Sequence, residues 1–185
     1  MDRTVVITGS SGYLGSALCA DLACDHRVVG VDRRQPSSAL RQAAPRAAWE
    51  NLDISHAEAL SQAFQRIART HGGIDCVIHF AAYYHYGRRW RREYDIHNIH
   101  GTRNVIEAAC SAGAGRIIFA ASIAALLPPP PGAALTEEAG DMADFPYCQS
   151  KAAGERLCAE RHDQLPAVVV RLGGVFSNWC ELPPL

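Results

Sequence analysis

The segment Thr8-Gly9-Ser10-Ser11-Gly12-Tyr13-Leu14-Gly15 constrains this chain more than any other. It follows the β-branched run TVVIT at 4–8 and opens a helical pattern at 14–24, so glycines three apart sit where a strand turns into a helix. In that context Gly9 permits the tight turn and Gly12 lets backbone amides approach a diphosphate. Gly15 lets the helix pack closely on the strand. The positive end of the helix dipole then faces the phosphate charge. The expectation is a nucleotide site at the end of the first strand.

The rest of the chain repeats the alternation. Apolar runs at 28–31, 47–51, 76–79, 116–121 and 167–172 read as further strands. Helical periodicity falls at 57–70, with Ala57, Leu60, Phe64 and Ile67 on one stripe, and at 95–111 and 147–161. Strands alternating with helices give right-handed βαβ units and a parallel sheet, and strands this apolar are expected to be covered on both faces. Six strands suit the doubly wound order 3-2-1-4-5-6, a Rossmann-type α/β fold with its ligand at the strand C-termini. The long connection 123–145 holds four successive prolines, Pro128 to Pro131, and reads as a stiff extended surface loop.

Composition narrows the class. The 185 residues suffice for one domain with a sizeable core, and a net charge of −1 argues against nucleic acid or an anionic membrane as partner. No run of 18 or more apolar residues and no signal-peptide layout appears, so the expectation is a cytoplasmic protein without a membrane span. Seven scattered cysteines, none in a C-x-x-C pair, read as free thiols in a reducing compartment. His97 and His100 are three apart on a helix, but no third ligand stands at a supporting spacing, so no metal is expected. The basic run Gly87-Arg88-Arg89-Trp90-Arg91-Arg92 reads first as a solvated loop and second as a contact for a substrate phosphate or a subunit.

Four further features carry chemistry. Asp32 closes the second strand, where a carboxylate accepts from ribose hydroxyls and repels a 2′-phosphate, favouring NAD over NADP. Arg33 and Arg34 pull the other way, since a guanidinium can hold that phosphate. Asp53-Ile54 falls beside the expected adenine position, although Asp53 or Ser55 also suits the N-cap of the helix at 57–70. Tyr147 and Lys151 are four apart on a helix and share a face. A nearby ammonium is expected to lower a phenol's pKa toward the range of proton transfer. Ser122 ends the fifth strand, where its hydroxyl can position a substrate oxygen or simply cap the turn.

Together these residues resemble the extended branch of the short-chain dehydrogenase/reductase superfamily. Its T-G-x-x-G-x-x-G matches Thr8 through Gly15, its H-x-A-A matches His79-Phe80-Ala81-Ala82, and its N-x-x-G-T-x-N matches Asn98 through Asn104. Ser122, Tyr147 and Lys151 fall on the catalytic set, with the 25-position gap from Ser122 to Tyr147 that suits this branch. The resemblance implies that Tyr147 is the general acid/base, Lys151 also holds the nicotinamide ribose, and Ser122 orients the substrate. It implies that Gly9, Gly12, Tyr13, Leu14, Asp32, Asp53, Ile54, Ala81 and Ala82 contact NAD. The cofactor set also takes in Ser11, Gly15, Arg33, Phe80 and Asn98, with Tyr147 and Lys151. The activity implied is an NAD-dependent oxidoreductase or epimerase acting on a secondary alcohol or ketone of a small molecule, with a nucleotide sugar as one candidate, in a homodimer. The alternative is a module that binds or senses the cofactor without turnover.

The chain also departs from the family pattern. Arg171-Leu172-Gly173-Gly174-Val175-Phe176-Ser177 replaces R-P-x-x-V-Y-G, and Ala125-Leu126-Leu127 replaces a V-Y-G. Ile123 and Ala124, not acidic residues, follow Ser122, which disfavours dehydration. Relatives continue into a substrate domain. The expected division is therefore a Rossmann domain at 1–172 and the start of a truncated substrate region at 173–185, with apolar surface laid bare near Val175, Phe176, Trp179 and Leu182.

Overall fold

The computed structural model describes residues 2–85, 87–141 and 144–175. Six parallel strands, β1 (Thr4–Thr8), β2 (Arg27–Asp32), β3 (Ala48–Asn51), β4 (Cys76–His79), β5 (Ile117–Ser122) and β6 (Ala167–Leu172), form one sheet in the order β3-β2-β1-β4-β5-β6. The order reverses between β1 and β4, so a crevice opens past Thr8 and His79. The expected strand order holds.

Helices α1 (Tyr13–Leu22) and α2 (Ser38–Ala43) lie on one face of the sheet. Helices α3 (Ala57–His71), α4 (Gly101–Ser111) and α5 (Pro146–Glu160) lie on the other. The larger core joins Leu60, Phe64 and Ile67 of α3 to Val105 and Ile106 of α4 and Leu157 of α5, over Val6, Val77 and Phe119 of the sheet. The α3 stripe is therefore as expected except at Ala57, which is exposed because the helix only begins there, short of the sheet. Gly72 ends α3 in the left-handed conformation.

Two elements differ from expectation. Helix α2 has no counterpart in the sequence reading; it starts where the Ser37 side chain accepts from the Leu40 amide and buries a single residue, Leu40. The helix expected from residue 95 is π-wound over Tyr94–His100 before it tightens into α4.

The expectation of strands covered on both faces holds for β1, which is buried throughout, and fails for β6. That strand is an edge. Its Val168 and Val170 are 48% and 39% exposed on the α1–α2 face, at the sheet edge away from β1 and β2, on which α1 packs. Of the residues expected to lie on bared apolar surface, Phe176, Trp179 and Leu182 fall outside the described residues. No described helix is long and apolar enough to cross a membrane.

Candidate active site

The glycine loop is as tight as its spacing suggests. Gly9 has φ +73°, and a Cβ there would meet the Ala81 amide at 2.6 Å. A Cβ on Gly15 would lie 2.2 Å from the Gly9 carbonyl oxygen. No side chain caps α1, whose N-cap is Gly12, so its first-turn amides face the crevice without a capping partner. Loop, close backbone and uncapped helix together fit a diphosphate.

The cleft beside this loop has a volume of about 350 Å³. Gly9, Gly12, Asp32, Arg33, Asp53, Ile54, Phe80, Ala81 and Ala82 line it, all of them residues picked out from sequence. Arg34, Leu52, Tyr83, Tyr84 and His97 line it as well. Leu52 and Tyr84 carried no recognisable signal. His97 was readable only as half of a metal pair; it lies with its Nδ1 3.6 Å from Asp53. Ser11 stands behind the cleft, its amide donating to Asp32 at 3.0 Å. Tyr13, Leu14 and Gly15 begin α1 and do not line the cleft.

Asp32 is 9% exposed, and both of its oxygens are oriented by the backbone, from Ser11 and from Arg34 at 2.8 Å. The Arg34 guanidinium folds back to 3.6 Å from the same carboxylate, and Arg33 lies 4.0 Å from Asp53. Both arginines thus face acids. Burial raises the Asp53 pKa, but its bonds with Ser55, followed by His97 and Arg33, outweigh that and hold it below its ordinary value.

The second half of the site gathers at the ends of β5 and α5. Ser122 ends β5 and accepts from the Ala124 amide at 3.2 Å, and its hydroxyl is one of the groups that act on the Tyr147 phenol, favouring its ionised form. The turn-capping reading of Ser122 therefore holds. Tyr84 meets the Tyr147 ring edge-on at 4.9 Å, so the cleft-lining loop reaches the phenol, although Ser122, Tyr147 and Lys151 do not line the cleft themselves.

Lys151 is buried, and its ammonium lies 4.7 Å over the Phe119 ring. Gly154 makes room for that ring: a Cβ there would stand 2.4 Å from its tip. Burial pulls the lysine pKa down to about 8, against the attraction of Glu155. The Tyr147 pKa is pushed up to about 12, chiefly by burial and then by Tyr84 and Cys148. This corrects the expected lowering. In the protein alone desolvation of the phenolate outweighs the favourable effect of Ser122, and the lysine charge rests on Phe119.

Asn98 takes a different place from the one expected. It is 2% exposed and does not line the cleft. Its side-chain oxygen accepts from the Tyr83 amide at 2.6 Å, and its nitrogen donates to the Tyr83 carbonyl at 2.9 Å and to Ser150 Oγ at 2.8 Å. Ser150 in turn donates to the Tyr147 carbonyl. Asn98 is thus a clamp between the β4 loop and the helix of Tyr147. His79 is a second one, held by Thr8 at 2.6 Å and Thr102 at 3.0 Å, and kept neutral by burial with a pKa lowered to about 3.

Known proteins show the same design. The NAD dependent epimerase/dehydratase family model matches residues 5–182. UDP-glucose 4-epimerase 2 of Oryza sativa is 32% identical over 85% of this chain, and dTDP-D-glucose 4,6-dehydratase of Mus musculus 25% over 95%. The matches span 40% and 51% of those proteins, so this chain covers about half the length of its relatives. Among solved structures, the UDP-glucose-4-epimerase of Stenotrophomonas maltophila with bound NAD matches at 26% identity and a TM-score of 0.75, over 91% of this chain and 52% of that one. Glycine loop, doubly wound sheet and family match agree: the chain belongs to the NAD-dependent epimerase/dehydratase family of extended short-chain dehydrogenases/reductases.

Proposed function

We propose that this chain binds NAD(H) and moves hydride between nicotinamide and a secondary alcohol or ketone of a small molecule, a nucleotide sugar by analogy with its relatives. Tyr147 gives and takes the proton. The observation that carries this reading is the Tyr147 phenol set against the cleft-lining Tyr84 ring at 4.9 Å, with the Lys151 ammonium buried one turn along the same helix.

Gly9, Gly12 and the first turn of α1 would hold the diphosphate, Asp32 the adenosine ribose, and Asp53, Ile54 and Ala81 the adenine side. NAD is favoured over NADP because a 2′-phosphate would meet the Asp32 carboxylate, while both neighbouring arginines already face acids. When bound, the cofactor supplies the hydride acceptor and, in its oxidised form, a positive ring. The chain's own residues then do the rest. Ser122 fixes the substrate oxygen, Tyr147 carries its proton, and Lys151 favours the phenolate. Epimerisation and plain oxidoreduction use the same residues, which all lie in a cofactor domain at residues 1–172. We take the working unit to be a homodimer.

The test is a titration with both cofactors, followed by nicotinamide fluorescence. The unmutated chain should prefer NADH, and Asp32→Ala should weaken NADH and narrow the gap to NADPH. In the full-length enzyme Tyr147→Phe should abolish nearly all turnover at unchanged cofactor affinity. Tighter binding of NADPH by the unmutated chain, or a Tyr147→Phe enzyme that keeps most of its rate, overturns the proposal.

A further inference from the structure

The loop from β4 to the π-helical segment carries Tyr84 and four arginines, Arg88, Arg89, Arg91 and Arg92, all exposed. Among the described residues none of the four has a carboxylate within 4.0 Å, as is also true of Arg3, Arg41, Arg46, Arg69, Arg103 and Arg116; what sets these four apart is that they fall within five consecutive positions. Four guanidiniums so close together, without a carboxylate partner among the described residues, are a local excess in a chain of net charge −1.

The backbone beneath them is not loose. Asn98 grips Tyr83, the Tyr94 hydroxyl donates to the His85 carbonyl, and the Tyr94 amide donates to the Arg91 carbonyl at 2.9 Å. Trp90 donates to Asp95 at 2.7 Å and packs on Tyr94. The loop is therefore fixed on the π-helical segment while its guanidiniums stay exposed, which lowers the ordering cost of binding.

It also reaches the site. Tyr84 is 67% exposed with its ring against Tyr147, and the Arg88 guanidinium lies 5.7 Å over the ring of Phe145, two residues before Tyr147. An open aromatic face accepts the C–H face of a sugar ring, and a guanidinium fork accepts two oxygens of a carboxylate or phosphate. We propose that Tyr84 and Arg88 form a subsite for an anionic sugar, with the ring on Tyr84 and its phosphate or carboxylate on Arg88. This rests on the reading of Tyr147 as the acid/base, and it assigns the basic run a specificity role in place of a plain solvated loop.

The experiment is calorimetric titration of the NAD-saturated chain with glucose 1-phosphate, glucuronate and glucose. At least one anion should bind about tenfold or more tightly than glucose, as a charge-assisted bidentate contact implies, and the tighter of the two names the group. Arg88→Ala should lose that advantage and keep the melting temperature and NADH affinity of the parent. Arg116→Ala, an exposed arginine before β5, should change nothing. Unchanged anion affinity in Arg88→Ala, no preference over glucose, or tighter and equally Arg88-dependent binding of single-stranded DNA overturns the subsite. Because NADH affinity is read separately, failure here is distinct from failure of the cofactor reading.

Discussion

The Arg171 guanidinium grips the Glu155 carboxylate through three contacts, at 3.1, 3.1 and 2.7 Å. The pair ties edge strand β6 to α5 one helical turn beyond Lys151, and Arg171 also donates to the Glu137 carbonyl in the proline-rich loop. Glu155 supports the lysine charge: it raises a pKa that burial lowers.

Breaking this pair should be costly. The side chains are 25% and 13% exposed, so Arg171→Met leaves a carboxylate largely buried without its partner. Removing one member of a buried pair costs roughly 3–5 kcal/mol, and partial exposure of Arg171 places the loss near about 3 kcal/mol. Urea unfolding of the two chains checks it; a loss below about 1 kcal/mol shows that the pair behaves as a surface bridge.

Stability should depend on pH through Lys151. Its folded pKa is about 8 against an ordinary 10.5. Between those values the unfolded chain holds a proton that the folded chain has released, so this group's contribution rises with pH across that window. Below about pH 8 both states are charged and the penalty of burying the ammonium is present in full. Cys19 and Cys158 act oppositely above about pH 9, and Tyr147 above about pH 10, because burial pushes each up to about 12 in the folded chain. The lysine contribution is isolated by comparison with Lys151→Met, which should be the more stable chain near pH 7 by an amount that shrinks toward pH 10.5. A difference that stays constant over that range would show that no buried ammonium is being titrated.

The Asn98 clamp should matter for order at the site rather than for contact with a ligand. Asn98→Ala leaves the Tyr83 amide and carbonyl without their partners, and unsatisfied buried groups cost about 1–3 kcal/mol each. A loss of about 2–3 kcal/mol is expected, with faster amide hydrogen exchange at Tyr83. Unchanged exchange at that amide would mean that another group holds the loop.

What the sequence by itself determined was the order of the elements and the residues at the turn. Glycines at 9, 12 and 15 between an apolar strand and a helix admit few structures, since larger side chains would strike backbone at 2.2–3.1 Å. The alternation of elements then fixed a doubly wound sheet, which carries Asp32, Asp53, Ala81 and Ser122 to one edge. Helix α2 stayed hidden because six residues with one buried side chain leave no period to read. The π-helical turn stayed hidden because its winding depends on how Tyr94 and Asn98 meet the loop before them.

Tertiary structure alone decided the electrostatics. Spacing put Tyr147 and Lys151 on one face of a helix and suggested a lowered phenol pKa. The fold laid the ammonium over Phe119 and desolvated the phenol, and the pKa rises instead. Only the fold laid Arg171 on Glu155 and Arg88 over Phe145, because partners far apart in the chain meet only when the sheet brings their elements together. A sequence records which charges exist; desolvation and partner distance, which set what they do, exist only in three dimensions.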